Sequence, residues 1–176
     1  MTRDDFWAIL AECPRPTGPD DDCDELVSRL SRLPPQEIVA FDQHLTDLRL
    51  GAHRVDLWGA AYLINGGCSD DGFEYFRCWL VGQGREIYEA ALADPDSLAD
   101  YGPVRRCILD DFEECECEVF MYTPDRAYQR MTGHELPEGS GVYPELGEMW
   151  DFADVEEMRR RYPRLSALLD EADALP

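Results

Sequence analysis

The chain has 176 residues, and its 38 acidic side chains outnumber its 16 basic ones, which gives a formal net charge of -22 at pH 7. A negative field of this size repels phosphate backbones and anionic lipid, so direct nucleic acid binding and membrane docking are not expected. No stretch reaches the roughly 20 apolar residues of a membrane-spanning helix, and the N-terminus lacks the basic and apolar regions of a signal peptide. We therefore expect a soluble cytoplasmic protein.

The cysteine pattern and the absence of lysine exclude further classes of site. Seven cysteines are an odd number, and their spacing does not resemble a secreted disulfide framework, so we interpret them as reduced thiols, mostly small core residues. All 16 basic residues are arginine, which excludes the lysine-containing phosphate-binding loop of nucleotide-binding proteins. The sequence predicts no metal ion and no other cofactor.

Apolar residues recur at helical spacing along most of the chain, and this pattern predicts an all-α fold of about seven to nine helices. Asp4 is the predicted cap of a first helix that Pro14 stops. A second helix is expected over about residues 22–33. A third begins near Pro35, which suits a first helical turn, and ends at Gly51.

The next helices flank a glycine-rich turn. Trp58 lies on the apolar face of a predicted fourth helix that Asn65-Gly66-Gly67 ends, because these residues tolerate the left-handed conformation. A fifth helix follows the turn and breaks at residues 82–84. A sixth carries the apolar residues of 87–92, and Pro95 opens a short turn.

The region between residues 104 and 122 is harder to assign. Its density of glutamate and the helix expected over 125–132 favour a helix there. The alternation of apolar and acidic residues around 115–122 also allows a short strand pair.

The C-terminal part contains a long acidic loop. Glycine and proline over 133–147 predict an exposed segment, and a final helix over about 154–162 precedes an apolar tail. We therefore expect a helical domain over residues 4–132, with the loop and helix of 133–176 packing on the same domain.

The segment from Gly66 to Arg77 carries the most information. Its glycines and the start of the following helix could bind an anion, but Asp70, Asp71 and Glu74 would compete with a phosphate. The spacing of Asp71 and Glu74 matches a capping box, which favours a helix start over a binding site. Asp70 and Asp71 could instead ligate Mg²⁺ or Ca²⁺, although the calcium-loop spacing is absent.

Arg77 and Trp58 complete the candidate binding residues. Arg77 interrupts the apolar face of the fifth helix, where it is expected to pair with Glu74 or with the aspartate pair. An arginine among aromatic residues is more often a structural tie than a ligand clamp. If the turn borders a cleft, Arg77 would clamp an anion and Trp58 would be a stacking wall. Asp70 and Asp71 would then be acid, base or metal ligands, and no residue is predicted to be catalytic.

The other cysteines and the histidines match no known site. Cys115 and Cys117, with Cys107 nearby, lack the paired Cys-x₂₋₄-Cys spacing of zinc sites, and their acidic neighbours are expected to raise the thiol pKa values. The histidines accompany no hydrolase or metalloprotease motif and are predicted to lie on the surface: His44, His53 and His134.

Five segments spread over about residues 4–131 carry a family resemblance. They are FWAIL (6–10), LWGAA (57–61), GGCSDDGFEYFRCWL (66–80), GREIY (84–88) and DPDSLA (94–99). Together they resemble a bacterial family catalogued as domain of unknown function 4240, and the long central motif is the most specific of them. The resemblance implies a shared fold and adds no activity, cofactor or catalytic residue.

Two functional hypotheses remain, and a scaffold that only supports assembly cannot be separated from the first of them by sequence. The first is a non-enzymatic interaction or regulatory protein that binds a partner with a basic surface, and the missing catalytic constellation favours it. The acidic stretches 20–25 and 110–118 are either solvated faces or part of such a surface. The second is a small-ligand or metal-dependent enzyme site beside the Gly66–Arg77 turn.

Overall fold

The computed structural model describes residues 1–110 and 114–175, and every regular element in these ranges is a helix. The all-α prediction is therefore confirmed. The described residues form eleven α-helices and one 3₁₀ helix, more than the predicted seven to nine, because short segments without a clear apolar period are also helical. None of these described helices is long and apolar enough to cross a membrane. The α-helices are α1 (Arg3–Ala11), α2 (Asp24–Leu30), α3 (Pro35–Gly51), α4 (Val55–Ile64), α5 (Asp70–Gly82), α6 (Arg85–Ala93), α7 (Gly102–Asp110), α8 (Glu118–Met121), α9 (Thr123–Thr132), α10 (Val155–Arg161) and α11 (Pro163–Asp173), and the 3₁₀ helix is Pro95–Asp100.

Helix α5 runs through the core. Every residue from Phe76 to Val81 is buried, so this half of the helix has no solvent-facing side. A helix enclosed in this way needs neighbours on all sides. It packs against α3, α4, α6 and α8. Near its end, Gly82 lies so close to Pro16 that an added Cβ would fall 2.4 Å from the proline ring.

The predicted cap of the first helix is wrong. Helix α1 begins after Thr2, whose hydroxyl accepts the N–H of Asp5 at 3.1 Å, while the Asp5 carboxylate accepts the N–H of Thr2 at 2.7 Å. This reciprocal pair satisfies two backbone donors at once, as a capping box does. Asp4 instead lies in the first turn and forms an ion pair with Arg85 at 2.8 Å.

The strand pair that 115–122 allowed is not found among the described residues, since 118–121 form helix α8. Cys115 and Cys117 are buried on either side of half-exposed Glu116 in a short segment outside the helices, which bends at Cys115. The N–H of Cys117 donates to the carbonyl of Tyr75 on α5 at 3.1 Å. The alternation therefore comes from a short irregular segment that packs on a helix. Residues 111–113, part of the predicted helical region, lie outside the described residues.

The exposed loop predicted for 133–147 is present and continues to residue 154 without regular secondary structure. Two helices follow where one was predicted. The apolar tail is itself helical, because Pro163 occupies the first turn of α11 and the leucines that follow pack inward. Helix α11 packs against α4, α7 and the 3₁₀ helix.

The turn between α10 and α11 fits closely on α4. The Tyr162 hydroxyl donates to the carbonyl of Asp56 at 2.6 Å. A Cβ on Gly59 would fall 2.4 Å from that hydroxyl oxygen, so only glycine leaves room for the tyrosine.

The start of α11 is held by a carboxylate from another element. Asp96, on the 3₁₀ helix, is buried and accepts the backbone N–H groups of Arg164 and Leu165, each at 2.9 Å. It therefore supplies the capping contact that α11 lacks locally, because no side chain from the flanking residue Tyr162 caps this helix.

Candidate functional site

The four predicted binding residues, Trp58, Asp70, Asp71 and Arg77, line one surface groove of about 470 Å³. The groove lies between the ends of α3 and α4 and the first turns of α5, and residues of α8 and of the 133–154 loop close its other sides. Whether these residues bind a ligand stays a prediction, but the fold does bring them together.

The turn into α5 places both aspartates at the mouth of the groove. Gly66 and Gly67 have φ values of 66° and 142°, a region that L side chains rarely adopt, so they reverse the chain after α4. Ser69 caps α5 by accepting the N–H of Gly72 at 3.1 Å. The predicted capping role of Asp71 is therefore wrong, because the serine hydroxyl two residues earlier occupies the cap position.

Neither Asp70 nor Asp71 therefore caps the helix. Both are exposed in the first turn of α5, where the helix dipole favours negative charge. Within the described part of the chain neither carboxylate forms a hydrogen bond or an ion pair, in contrast to the carboxylate of Glu74 one turn later.

Trp58 forms a fixed aromatic wall. Its indole N–H donates to the carbonyl of Cys68 at 3.0 Å, and its ring stacks on Phe73 with a centroid distance of 4.9 Å and an interplanar angle of 9°. Phe152, from the C-terminal loop, packs on the same ring at 6.2 Å. Trp58 thus lies beside the turn and is part of a packed aromatic cluster.

The buried side chain of Arg77 links α5 to α3. Only 2% of its side chain is exposed, and each guanidinium nitrogen donates to a protein oxygen. Nε donates to the carbonyl of Phe73 at 3.3 Å, Nη1 to the carbonyl of Arg49 at 3.0 Å, and Nη2 to the Glu74 carboxylate. The predicted pairing with Glu74 is confirmed. A role as an anion clamp would require a free guanidinium, but all three nitrogens of Arg77 already donate to protein oxygens.

Glu74 joins two arginines and a tyrosine. Its carboxylate accepts hydrogen bonds from Arg77, from Arg49 on α3, and from the Tyr143 hydroxyl at 2.7 Å. Burial raises the pKa of Glu74, but the hydrogen bond and charge of Arg49, the Tyr143 hydroxyl and the charge of Arg77 together lower it below its ordinary value. Glu74 is therefore ionised, and this cluster of two cations and one anion carries one net positive charge.

Two buried nitrogens of groove residues have no hydrogen-bond partner among the described residues, Nδ1 of His53 and Nε of Arg49. His53 is half-buried between the rings of Phe73, at 5.9 Å, and Tyr143, at 5.0 Å. Burial, followed by the charge of Arg77, lowers the pKa of His53, so its ring is neutral at pH 7. The predicted surface position is right for His134, but His53 and His44 are half-buried.

Sequence reasoning did not select Arg49, His53 or Tyr143 for this site. Arg49 lies 25 residues and Tyr143 lies 69 residues from Glu74, so no local spacing connects them. Tyr143 also lines a second cavity of about 240 Å³, together with Asp42 and Thr46. Tyr143 and Arg49 are therefore part of the walls of two cavities.

The groove offers charge and aromatic surface but little reactive chemistry. No group of three or more histidine, cysteine or acidic side chains in the described ranges is arranged to hold a metal ion. Cys68, next to the turn, is a thiol whose pKa is raised to about 12, first by burial and then by the charge of Glu116. It is therefore protonated and a poor nucleophile at neutral pH.

The sequence profile of the family described as "Protein of unknown function (DUF4240)" matches residues 1–130. No curated protein and no solved structure matches the chain. The matched region contains the four predicted groove residues and the first nine α-helices to within two residues, whereas Tyr143 lies outside it. The match covers well over half of the chain, so this protein belongs to the DUF4240 family.

Proposed function

We propose that the protein is a non-enzymatic interaction domain, located in the cytoplasm, whose groove binds a basic segment of a partner protein. The observation that carries this proposal is the pair of exposed carboxylates at the groove mouth. Asp70 and Asp71 have no hydrogen-bond or ion-pair partner in the described parts of the chain, so their charges are available to a cation from outside.

The arginines of the groove do not compete for these carboxylates. Arg77 and Arg49 are bound to Glu74, and Arg77 is almost completely buried. An external arginine or lysine can therefore pair with Asp70 and Asp71 at the rim without displacing an internal partner.

The walls of the groove suit the rest of such a side chain. Trp58, Met121 and Leu146 add aromatic and apolar surface to the lining of the groove. Arginine and lysine have apolar stems that pack on surfaces of this kind while the charged end stays near water.

The charge of the whole chain supports the same class of partner. With a net charge of -22, the protein attracts basic surfaces over a distance and speeds their encounter. This attraction is screened by salt within a Debye length of about 8 Å at physiological ionic strength. The groove would then provide the short-range contacts that decide where the partner docks.

The double variant Asp70→Asn/Asp71→Asn tests the proposal against a short arginine-rich peptide as the probe. We expect binding, measured by fluorescence anisotropy at low salt, to weaken about tenfold. Each lost ion pair contributes up to about 1 kcal/mol, and about 1.4 kcal/mol in total corresponds to tenfold. Because Ser69 caps the helix, the thermal midpoint should change little.

The matched control is Glu25→Gln/Glu86→Gln, which removes the same charge from exposed first-turn positions of α2 and α6. Peptide binding by this control should stay close to wild type. If both double variants weaken binding equally, only the overall charge attracts the peptide and the groove is not the docking site.

A second candidate function is a small-ligand or metal-dependent site in the same groove, and the net positive charge of the cluster of Arg49, Arg77 and Glu74 favours an anionic ligand. Such a ligand would raise the thermal midpoint of the wild type, and the rise would disappear in Arg49→Met and His53→Ala. A divalent metal ion would raise the midpoint through Asp70 and Asp71 instead. That rise would disappear in Asp70→Asn/Asp71→Asn, which separates metal binding from anion binding.

A further inference from the structure

Two thiols from distant parts of the sequence meet beside the start of α2. The Sγ atoms of Cys23 and Cys117 are 3.7 Å apart and share a hydrogen bond, although 94 residues separate them in the chain. A disulfide bond is about 2.05 Å long, so an approach of roughly 1.6 Å would join the two sulfurs. None of the seven cysteines of the protein is in a disulfide in this structure.

The backbone around Cys23 is held in an unusual conformation. Cys23 has a φ of 53°, the one positive value at a non-glycine residue in the described ranges. Its N–H donates to the Asp21 carboxylate at 2.9 Å. Arg126 on α9 donates to the carbonyl of Asp22 and to the carboxylate of Asp24, both at 2.6 Å. These contacts from both sides fix the loop so that the Cys23 thiol points at its partner.

Cys117 is fixed from the other side. Its N–H donates to the Tyr75 carbonyl on α5 at 3.1 Å, and its side chain is fully buried. The hydrogen bond from the Cys23 thiol lowers the pKa of Cys117, and the N–H groups of Phe120 and Val119 assist, against the effect of burial. The predicted rise in pKa is therefore wrong for Cys117, because these donors outweigh the charge of Asp21. It is found for Cys115, whose pKa is raised by a hydrogen bond with Cys107, by burial and by charges that include that of Glu116.

The pair can be reached from solvent through Cys23. This residue is half-exposed and lines a surface cavity of about 210 Å³ with Pro14, Pro16 and Phe120. A small oxidant therefore reaches the Cys23 sulfur first, because Cys117 is buried.

We propose that Cys23 and Cys117 are a reversible oxidation site that a hydroperoxide converts to an intramolecular disulfide. The Cys23 thiol gives its proton to water as its sulfur attacks the nearer peroxide oxygen. The O–O bond breaks, Cys23 becomes a sulfenic acid, and the hydroxide that leaves takes up this proton and becomes water. The Cys117 sulfur then attacks the Cys23 sulfur, the S–S bond forms, and the Cys117 thiol proton passes to the departing hydroxide, which leaves as a second water.

The electrons balance in this sequence. The two thiols lose two electrons and two protons, and hydrogen peroxide takes them up to give two molecules of water. A dithiol such as dithiothreitol reverses the change by thiol–disulfide exchange.

The test uses the full chain under native conditions. Reduced protein is exposed to hydrogen peroxide, denatured and alkylated, and its mass and peptides are measured. We expect seven thiols minus two, that is five, to be alkylated, with the peptide of Cys23 linked to that of Cys117. Dithiothreitol should restore alkylation at all seven positions.

Two single variants make the result specific. Cys23→Ser replaces a half-exposed side chain, so it should fold, lose the link and leave its remaining thiols open to alkylation. Cys68→Ser removes another half-buried thiol and should keep the link. The proposal fails if the link forms only after unfolding. It also fails if Cys23 goes to sulfinic acid or to an intermolecular dimer while Cys117 stays alkylatable, or if oxidation joins Cys107 to Cys115 and leaves Cys23 reduced.

Discussion

Two arginine clusters of this protein have opposite charge ratios. In the groove, the buried Arg77 and its neighbour Arg49 share the single carboxylate of Glu74. At the start of α11, Arg164 is more exposed and alone faces three carboxylates: Asp94, Asp96 and Asp100.

In the surface cluster acidic residues outnumber arginine, as they do in the whole chain, whereas in the buried cluster arginines outnumber the acidic residue. With 38 acids and 16 arginines, an excess of carboxylates around one arginine is the ordinary outcome. A second arginine on one buried carboxylate requires compensation, because a buried charge without partners is costly. The carbonyls of Phe73 and Arg49 supply it for Arg77, together with the rings of Phe73 at 4.9 Å and Tyr143 at 5.6 Å. Arginine therefore serves as a core residue in one place and as a surface tie in the other.

The largest expected effect is that of Arg77→Met, which keeps most of the side-chain volume. Removing one partner of a buried ion pair typically costs about 3–5 kcal/mol, and we expect a loss in this range in the free energy of unfolding measured with urea. The matched variant Arg164→Met should lose about 1 kcal/mol or less, because its cluster is solvated. Equal losses in the two variants would show that burial does not distinguish the clusters.

An intermediate effect is expected for Asp96→Asn, within the surface cluster itself. Asp96 is only 4% exposed and accepts two backbone N–H groups of α11, so weakening these charge-assisted bonds should cost about 1–3 kcal/mol. Asp100→Asn removes an exposed carboxylate of the same arginine and should change stability by no more than about 0.5 kcal/mol. Thermal or urea unfolding compares them, and a larger loss in Asp100→Asn would reverse the assigned roles.

The smallest expected effect is the pH-dependent part of the stability that Glu74 gives to the buried cluster. The folded pKa of Glu74 lies below its ordinary value of 4.5, so its contribution to stability is complete above pH 4.5 and is lost as the pH falls through the folded pKa. Glu74→Gln should therefore be less stable than the wild type at pH 7, and the difference should narrow on acidification below pH 4.5. Urea unfolding at several pH values measures this gap, and a gap that widens in acid would contradict the ionised assignment.

The helices with strong local signals were predictable from the sequence. Helix α3 has the predicted limits of Pro35 and Gly51, because a proline at the first turn and an apolar stripe both mark it. Helix α2 is shorter than the predicted 22–33, since Asp21 and Cys23 form a turn before it. The first-helix cap was placed two residues late, because an aspartate further along gives the same sequence pattern as the true hydroxyl cap.

The candidate site was predictable only in its local part. The turn after α4 shows in the glycines, and the residues of one helix start, Asp70 and Asp71, necessarily share a surface. The buried partner Arg49 and the covering Tyr143 come from elements whose packing on α5 depends on the whole fold. A single sequence contains no spacing rule for such contacts.

The fit of Tyr162 over Gly59 has a consequence for how the molecule is completed during synthesis. The hydroxyl of Tyr162 bonds to Asp56, which leaves the ribosome 106 residues earlier. This contact cannot form before Tyr162 has been synthesised, and in the folded chain it leaves no room for one further carbon on Gly59. This side of α4 is therefore covered only after the elements between α4 and Tyr162 have been made.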